Sequence, residues 1–141
     1  MVEIKTAGEV QAMRAAGQVV ARVLAATRAE AKAGMALAEL DELARGVLAE
    51  AGATSPFLGY QPGFAPIPFP AVICTSVNDA ALHGIPGQYR LVDGDLLSVD
   101  CGAVLDGWAG DRTSEPDGRW GGWGLSRRRR CLGLGLRRCR R

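Results

Sequence analysis

Two carboxylates in the stretch SVDCGAVLDGWAGD are spaced so that they could act together. Asp100 and Asp111 lie on either side of an Asp-Gly pair, and Asp-Gly between two apolar runs is a strong signal for a two-residue hairpin turn. That turn places Asp111 opposite Gly102 and Asp100 opposite Thr113, so the two aspartates become diagonal neighbours on one face. Diagonal Cα atoms lie about 7–8 Å apart, which allows both carboxylates to reach ions between them.

Two carboxylates held this close could form a divalent metal site. Like charges in a partly buried place repel each other, so the pKa of one carboxyl is raised unless a cation compensates. Hydrolases commonly use two divalent ions about 3.5–4 Å apart for this purpose. Oxygen ligands suit manganese or magnesium, and an added imidazole admits iron, cobalt and zinc. The alternative is an exposed hairpin with both aspartates in solvent, and the spacing alone favours this alternative.

The single histidine of the chain is a second candidate for chemistry. His83 lies in Leu-His-Gly-Ile-Pro, where Gly84 and Pro86 restrict the loop backbone and can hold an imidazole over a site. A lone histidine in a loop is more often structural or solvated than catalytic. His83 therefore needs support from other residues before it is assigned a role.

Two helices are predicted before these residues. Thr6 followed by Glu9 is typical of a capping box, and apolar residues then recur at helical spacing, which predicts a helix over 7–33. A second amphipathic pattern predicts a helix that begins at Leu37 and ends near Gly52. Both helices are interpreted as elements that cover a core.

An antiparallel sheet is predicted to carry the candidate site. Residues 71–77 are typical of a buried strand, and residues 96–105 and 108–113 are predicted to form the two arms of the hairpin. Alternation assigns one face of the hairpin to the core, namely Leu97, Val99, Cys101, Ala103, Leu105 and Trp108. The pattern predicts an α+β fold in which two helices pack on an antiparallel sheet.

Residues 54–70 are predicted to be a loop, because they contain five prolines and two glycines. Four aromatic rings lie within it: Phe57, Tyr60, Phe64 and Phe69. The loop either buries its own rings or forms the wall of an apolar pocket, and the first interpretation is slightly favoured.

Composition indicates one globular domain and an unusual tail. Residues 1–117 carry eight basic and fifteen acidic side chains, whereas residues 118–141 carry nine arginines and no acid. The N-terminus lacks a signal-peptide pattern and no run of about eighteen apolar residues occurs, so we expect a soluble cytoplasmic protein without a membrane segment. Without C-x-x-C spacing, Cys74 and Cys101 are predicted to be free thiols.

The tail has two interpretations. Residues 118–141 use six residue types, and their codons are rich in G and C, which is typical of GC-rich DNA translated in the wrong frame. We interpret the tail as the product of a frameshift near codons 112–118. The alternative is a genuine Arg-rich segment, disordered until it binds RNA or another polyanion.

The segments SVNDAALHGIPG and LVDGDLLSVDCGAVLDGWAGD together resemble the type I methionine aminopeptidases, which have the pita-bread fold. The resemblance extends from the predicted helices to about Thr113. It implies that residues 1–113 are the N-terminal part of the catalytic domain, and that the chain is the N-terminal half of a pita-bread architecture. Residues 114–141 are then an Arg- and Gly-rich tail, disordered or out of frame.

The resemblance also implies roles for individual residues. Asp100 would ligate one metal ion and Asp111 would bridge two, with Co, Mn, Fe or Zn as the ions. His83 would donate a hydrogen bond near the scissile amide and stabilise the tetrahedral intermediate, and Tyr60 and Cys74 would line the pocket for the methionine side chain. The substrates would be the N-termini of nascent polypeptides with a small second residue, the ribosome would be a further partner, and the enzyme would be a monomer.

Part of that metal site is missing from the sequence. The resemblance requires five ligands, and the remaining histidine and two glutamates have no counterpart, since no histidine follows His83 and the last acids are Glu115 and Asp117. We therefore expect this chain to lack useful activity. Two alternatives stay open: a non-catalytic module with a pita-bread-like fold, and a basic protein that binds nucleic acid.

Overall fold

The computed structural model describes residues 4–114 and 123–124, which form two helices packed on an antiparallel sheet. The α+β fold predicted from the sequence is confirmed. The sheet order is β1-β2-β3, and the short β4 also pairs with β2. The elements are α1 (Ala7–Glu30), α2 (Leu37–Glu50), β1 (Ile73–Val77), β2 (Leu96–Leu105), β3 (Trp108–Ser114) and β4 (Trp123–Gly124).

Helix α1 begins as predicted and ends three residues early. The Thr6 hydroxyl accepts a hydrogen bond from the N–H of Glu9, and the Glu9 carboxylate accepts one from the N–H of Thr6, which is a complete capping box. The helix stops at Glu30 rather than residue 33 because the chain beyond it pairs with a distant segment. Gly34 N donates to Leu91 O at 2.7 Å, and this pairing is incompatible with another helical turn.

The β2–β3 hairpin has the register that the Asp-Gly turn predicts. Asp106 and Gly107 have φ values of 50° and 81°, and positive φ at both central residues is the requirement of a type I′ turn. The cross-strand partners include Leu105 with Trp108, Gly102 with Asp111 and Asp100 with Thr113. Both aspartates therefore lie on one face of the hairpin, as expected.

The opposite face of the sheet is the core face, and both helices contribute to its cover. Leu97, Val99, Cys101 and Ala103 are each 0–1% exposed, and they form one cluster with apolar residues of α1 and α2. Helix α1 approaches β3 very closely, because a Cβ placed on Gly110 would lie 2.7 Å from Gly17 N. The predicted core face is confirmed for these four β2 residues, and Leu105 and Trp108 are partly buried.

A buried carboxylate joins α2 to the start of β1. Asp41 is 6% exposed and its Oδ1 accepts hydrogen bonds from Val72 N at 2.8 Å and Ile73 N at 3.1 Å. Its Oδ2 accepts from Arg45 Nε at 2.8 Å, and Arg45 also donates to Pro70 O. This clamp fixes where β1 begins, and therefore which β1 side chains reach the face that carries the aspartates.

Residues 54–70 have no helix or strand, as predicted, but the loop does not bury its own rings. Tyr60 is 63% exposed and Phe64 is 90% exposed, so that interpretation of the loop is wrong for both. The physical reason is that the start of the loop is held by the Thr54–Val104 bridge and by Ser55 Oγ donating to Val72 O, while Tyr60 and Phe64 project outward beyond it.

Two further expectations concern residues at the end of the chain and the membrane. The tail prediction falls on residues that, apart from Ser114 and Trp123–Gly124, lie outside the described part of the chain. Among the helices that are described, none is both long and apolar enough to cross a lipid bilayer.

Candidate functional site

A row of polar side chains crosses the non-core face of the sheet. Cys74 of β1 pairs with Asp100 of β2, which pairs in turn with Thr113 of β3, and Ser76 pairs with Ser98 beside them. Side chains alternate along a strand, so all five point to the face opposite the core. They form the floor of a cavity of about 300 Å³ lined by Cys74, Ser76, Ala81, Leu82, His83, Ser98, Asp100 and Thr113.

The loop after β1 brings His83 to this cavity. His83 has φ 58°, a left-handed conformation that is uncommon outside glycine but that histidine, like asparagine, adopts more often than most residues. The next residue is held against β1: Thr75 N donates to Gly84 O at 2.9 Å, and Gly84 N donates to Ser76 Oγ at 3.3 Å. A Cβ at residue 84 would overlap the carbonyl oxygen of Thr75, so only glycine fits there.

The second aspartate lies beside the cavity rather than in its lining. Asp111 is paired with Gly102, which carries no side chain that would crowd the face shared with Asp100. Pro56 of the 54–70 loop occupies that space, since a Cβ on Gly102 would lie 2.6 Å from Pro56 Cγ. The proline-rich loop therefore covers the sheet next to the two carboxylates.

Burial and the Asp100 and Asp111 carboxylates raise the pKa values of acidic groups on this face. Partial burial and the nearby Asp100 carboxylate raise the pKa of Asp111, against the opposing effect of a hydrogen bond from the backbone N–H of Arg112. Burial, with Asp100 and Asp111 adding to it, raises the pKa of Cys74 to about 11. The Cys74 thiol is therefore neutral near pH 7 and is not an activated nucleophile.

Both body cysteines are free, as predicted. Cys101 is 0% exposed on the core face, where burial raises its pKa to about 12. Cys74 points to the opposite face and is 7% exposed at the cavity. The two thiols are on opposite sides of the sheet, and only Cys74 can touch a bound molecule.

The structure brings together three of the predicted site residues, Cys74, His83 and Asp100, with Asp111 diagonal to Asp100. Tyr60 is not part of the cavity lining, and its place in a substrate pocket stays a prediction. Sequence reasoning missed Ser76, Ser98 and Thr113. The sequence does contain a signal for them: each is an even number of residues from Cys74 or Asp100 on its own strand, or lies directly opposite Asp100, and therefore points to the same face.

Two of the described side chains are candidate metal ligands. Asp100 and Asp111 have the oxygen donors that divalent ions prefer. Burial, followed by the nearby Asp100 carboxylate, raises the pKa of Asp111, and a bound cation would oppose both effects. Over residues 4–114 and 123–124, however, no group of three or more His, Cys, Asp or Glu side chains converges as metal ligands do. The two aspartates would therefore fit a divalent ion only as part of a larger ligand set.

The model of metallopeptidase family M24 matches residues 11–114 of the sequence. The chain belongs to metallopeptidase family M24. The match covers both helices except the first turn of α1, the whole β1–β3 sheet, and every predicted site residue. It ends where β3 ends.

Curated relatives within this family are methionine aminopeptidases. Methionine aminopeptidase 1 of Mycobacterium tuberculosis is 53% identical over 108 residues, which are 76% of this chain and 38% of that protein. The methionine aminopeptidase of Clostridium acetobutylicum is 42% identical over 112 residues, which are 79% of this chain and 42% of that protein. The chain thus spans about two fifths of the length of these relatives. The predicted resemblance to the N-terminal part of a methionine aminopeptidase is confirmed.

Solved structures confirm the pita-bread fold. The crystal structure of methionine aminopeptidase from Rickettsia prowazekii aligns with a TM-score of 0.74 and 32% identity, over 81% of this chain and 44% of that one. Prolidase from Pyrococcus furiosus aligns with a TM-score of 0.64 at 20% identity, which shows the shared fold alone. The two-helix and antiparallel-sheet unit described above is the part of the fold that this M24 chain contains.

Proposed function

We propose that this M24 chain is the N-terminal part of a methionine aminopeptidase, which removes the initiator methionine from nascent proteins with a small second residue. The observation that carries the proposal is the convergence of Cys74, His83 and Asp100 on one cavity, with Asp111 diagonal to Asp100. The likeness to methionine aminopeptidases over more than three quarters of the chain supports it.

Each side chain then has a definite task. Asp100 and Asp111 would hold divalent ions, two in number and drawn from Co, Mn, Fe or Zn, which supply polarisation of the carbonyl and activation of water. His83, which lines the cavity together with Asp100, would donate a hydrogen bond near the scissile amide and to the developing oxyanion. The neutral Cys74 thiol would contact the methionine side chain, since thioether and thiol are both soft and weakly polar.

The proposal includes the setting in which the reaction takes place. The substrates would be the N-termini of nascent chains, the ribosome would be a partner, and the enzyme would act as a cytoplasmic monomer. Tyr60 would join the pocket by a movement of the 54–70 loop, whose exposed middle carries it away from the cavity.

The 141-residue chain by itself is proposed to be inactive. Two carboxylates offer too few ligand atoms to hold two ions in a fixed geometry. Without a complete ligand set, the hydrolytic water is not oriented towards the peptide bond. Hydrolysis of a Met-Ala-Ser peptide with added cobalt or manganese tests this directly. We expect no turnover above the metal-only background, and appreciable turnover contradicts the proposed inactivity.

A chimera tests the proposed function itself. Residues 1–113 of this chain would replace the matching N-terminal part of Mycobacterium tuberculosis methionine aminopeptidase 1, to which the chain is 53% identical. We expect turnover of the same peptide, abolished by Asp100→Asn or Asp111→Asn and reduced by His83→Ala. The matched control is Asp106→Asn in the hairpin turn. A folded chimera that binds metal without turnover contradicts the proposal.

Residues 114–141 are proposed to be translated out of frame. Nine arginines and no acid between 118 and 141, after a body with an excess of acid, support this boundary. Sequencing the coding DNA from codon 100 past the stop tests it: a neighbouring frame should continue with a histidine and two glutamates in M24-like surroundings. If no frame does, the basic tail is genuine, and salt-dependent RNA binding lost on deletion of 118–141 becomes the expected result.

A further inference from the structure

The segment between β1 and β2 is closed by one buried carboxylate that the proposed chemistry does not use. Asp95 is 4% exposed, although it precedes an exposed strand end. Its Oδ1 accepts a hydrogen bond from Asn78 Nδ2 at 2.9 Å, and its Oδ2 accepts from Tyr89 OH at 3.0 Å and Val92 N at 2.9 Å. Three donors from three points of the loop thus converge on one side chain.

Asn78 ties the same loop to the first residue of β2. Asn78 N donates to Leu96 O at 2.9 Å, and Leu96 N donates to the Asn78 side-chain oxygen at 3.0 Å. Asn78 has φ 57°, a conformation that asparagine tolerates better than most residues. Its side chain therefore uses both its amide groups, one on Leu96 and one on Asp95, to bring the two ends of the loop together.

His83 lies between these two anchors. The loop from 78 to 95 is fixed at its ends by the Asn78–Asp95 pair and in its middle by Gly84 against Thr75 of β1. With both ends and one interior point held, the backbone of 79–83 has little freedom left. His83 takes its left-handed φ within this held segment.

We propose that Asn78 and Asp95 are positioning residues that hold His83 at the cavity. Asp95 acts through Asn78 and the loop and does not line the cavity itself. The two residues belong to the Ser-Val-Asn-Asp and Gly-Asp motifs of the sequence, to which the proposed reaction assigns no role. The importance of this placement rests on the proposed function of His83, whereas the placement itself can be measured without substrate or metal.

The chain offers a clean probe, because His83 is its only histidine. In ¹⁵N- and ¹³C-labelled full-length protein, the His83 ring gives a single Cε1–Hε1 signal, and the order parameter of the His83 amide reports the mobility of the loop. A rigid backbone has an order parameter of about 0.85, and a flexible one falls below about 0.6. These two readouts are local and do not depend on catalysis.

Asp95→Asn is the test variant and Asp41→Asn is its matched control. The amide introduced at position 95 must place its N–H group against a donor of Asn78, Tyr89 or Val92. At least one of the three hydrogen bonds that Asp95 accepts is therefore lost. Asp41→Asn replaces the buried carboxylate of the α2–β1 clamp by an amide. The amide oxygen can still accept from the N–H groups of Val72 and Ile73. We expect the order parameter of His83 to fall from about 0.85 to below about 0.6 in Asp95→Asn only, with a shifted ring signal.

A rescue separates positioning from general destabilisation. In the double variant Asn78→Asp with Asp95→Asn, the new amide at position 95 can donate to the new carboxylate at position 78. The hydrogen bond of the pair is thus restored in the reverse direction, and the His83 signal should return towards wild type. If Asp95→Asn does not fold, Tyr89→Phe removes one of the three bonds and must still raise the mobility of His83. An unchanged His83 order parameter in the folded test variant overturns the proposal, as does an equal change in Asp41→Asn. Activity of the chimera plays no part in either outcome.

Discussion

Replacing Asp41 tests how much the α2–β1 clamp stabilises the start of β1, the strand that carries Cys74. In Asp41→Ala, the N–H groups of Val72 and Ile73 lose their acceptor, at positions that are 4% and 0% exposed. A buried N–H without a partner costs about 1–3 kcal/mol, and Arg45 also loses its carboxylate. Because Arg45 is only partly buried it regains water, so its loss adds little.

The two N–H groups together predict that Asp41→Ala lowers the free energy of unfolding by about 2–6 kcal/mol. Asp41→Asn keeps one oxygen for the two N–H groups and should lose only about 1–2 kcal/mol. Urea denaturation followed by far-ultraviolet circular dichroism gives the free energy of unfolding of each variant relative to wild type, provided that the m-values are equal. A loss below about 1 kcal/mol in Asp41→Ala, or equal losses in both variants, would refute the reasoning.

Three further substitutions probe other contacts of the fold. Gly110→Ala brings a methyl group against Gly17 and should lower the free energy of unfolding by about 1–3 kcal/mol in urea; no loss would contradict the close helix–sheet contact. Hydrogen bonds from Val92 N, Asn78 and Tyr89 lower the pKa of Asp95 below its ordinary 3.8, so its contribution to stability is complete above about pH 4 and is lost as the pH falls through the lowered value. The stability difference between wild type and Asp95→Asn should therefore be constant between pH 5 and 7 and narrow below about pH 4; a difference that grows on acidification would contradict it. Phe64 is 90% exposed, so Phe64→Ser should change the free energy of unfolding by no more than about 0.5 kcal/mol, and a larger loss would show a contact absent from this structure.

The hairpin was predictable because its determinants are local. Asp106 and Gly107 adopt the positive φ values that their types permit, and a two-residue turn leaves a single register for the strands on either side. Once the register is fixed, strand alternation gives the diagonal placement of Asp100 and Asp111. The capping box at Thr6 is local in the same sense and was equally predictable.

The parts that sequence reasoning missed depend on contacts between distant residues. Helix α1 stops early because Gly34 pairs with Leu91, and no signal within 7–33 carries that information. Tyr60 lies outside the cavity lining, on a loop whose start is anchored to Val72 and to Val104 of β2. The placement of His83 depends on Gly84 against β1 and on Asp95, which is twelve residues further along the chain.

A manganese titration of the chimera tests whether Asp100 and Asp111 are metal ligands on the sheet of this M24 chain. The electron paramagnetic resonance signal of free Mn²⁺ would be followed as the chimera that carries residues 1–113 is added, for its wild-type form, Asp100→Asn, Asp111→Asn and the control Asp106→Asn. Asp106 lies in the same hairpin, and asparagine tolerates its positive φ. We predict that wild type and Asp106→Asn bind Mn²⁺ equally and that both other variants lose binding. Equal binding by all four chimeras, or no binding by the wild-type chimera, would show that Asp100 and Asp111 are not metal ligands.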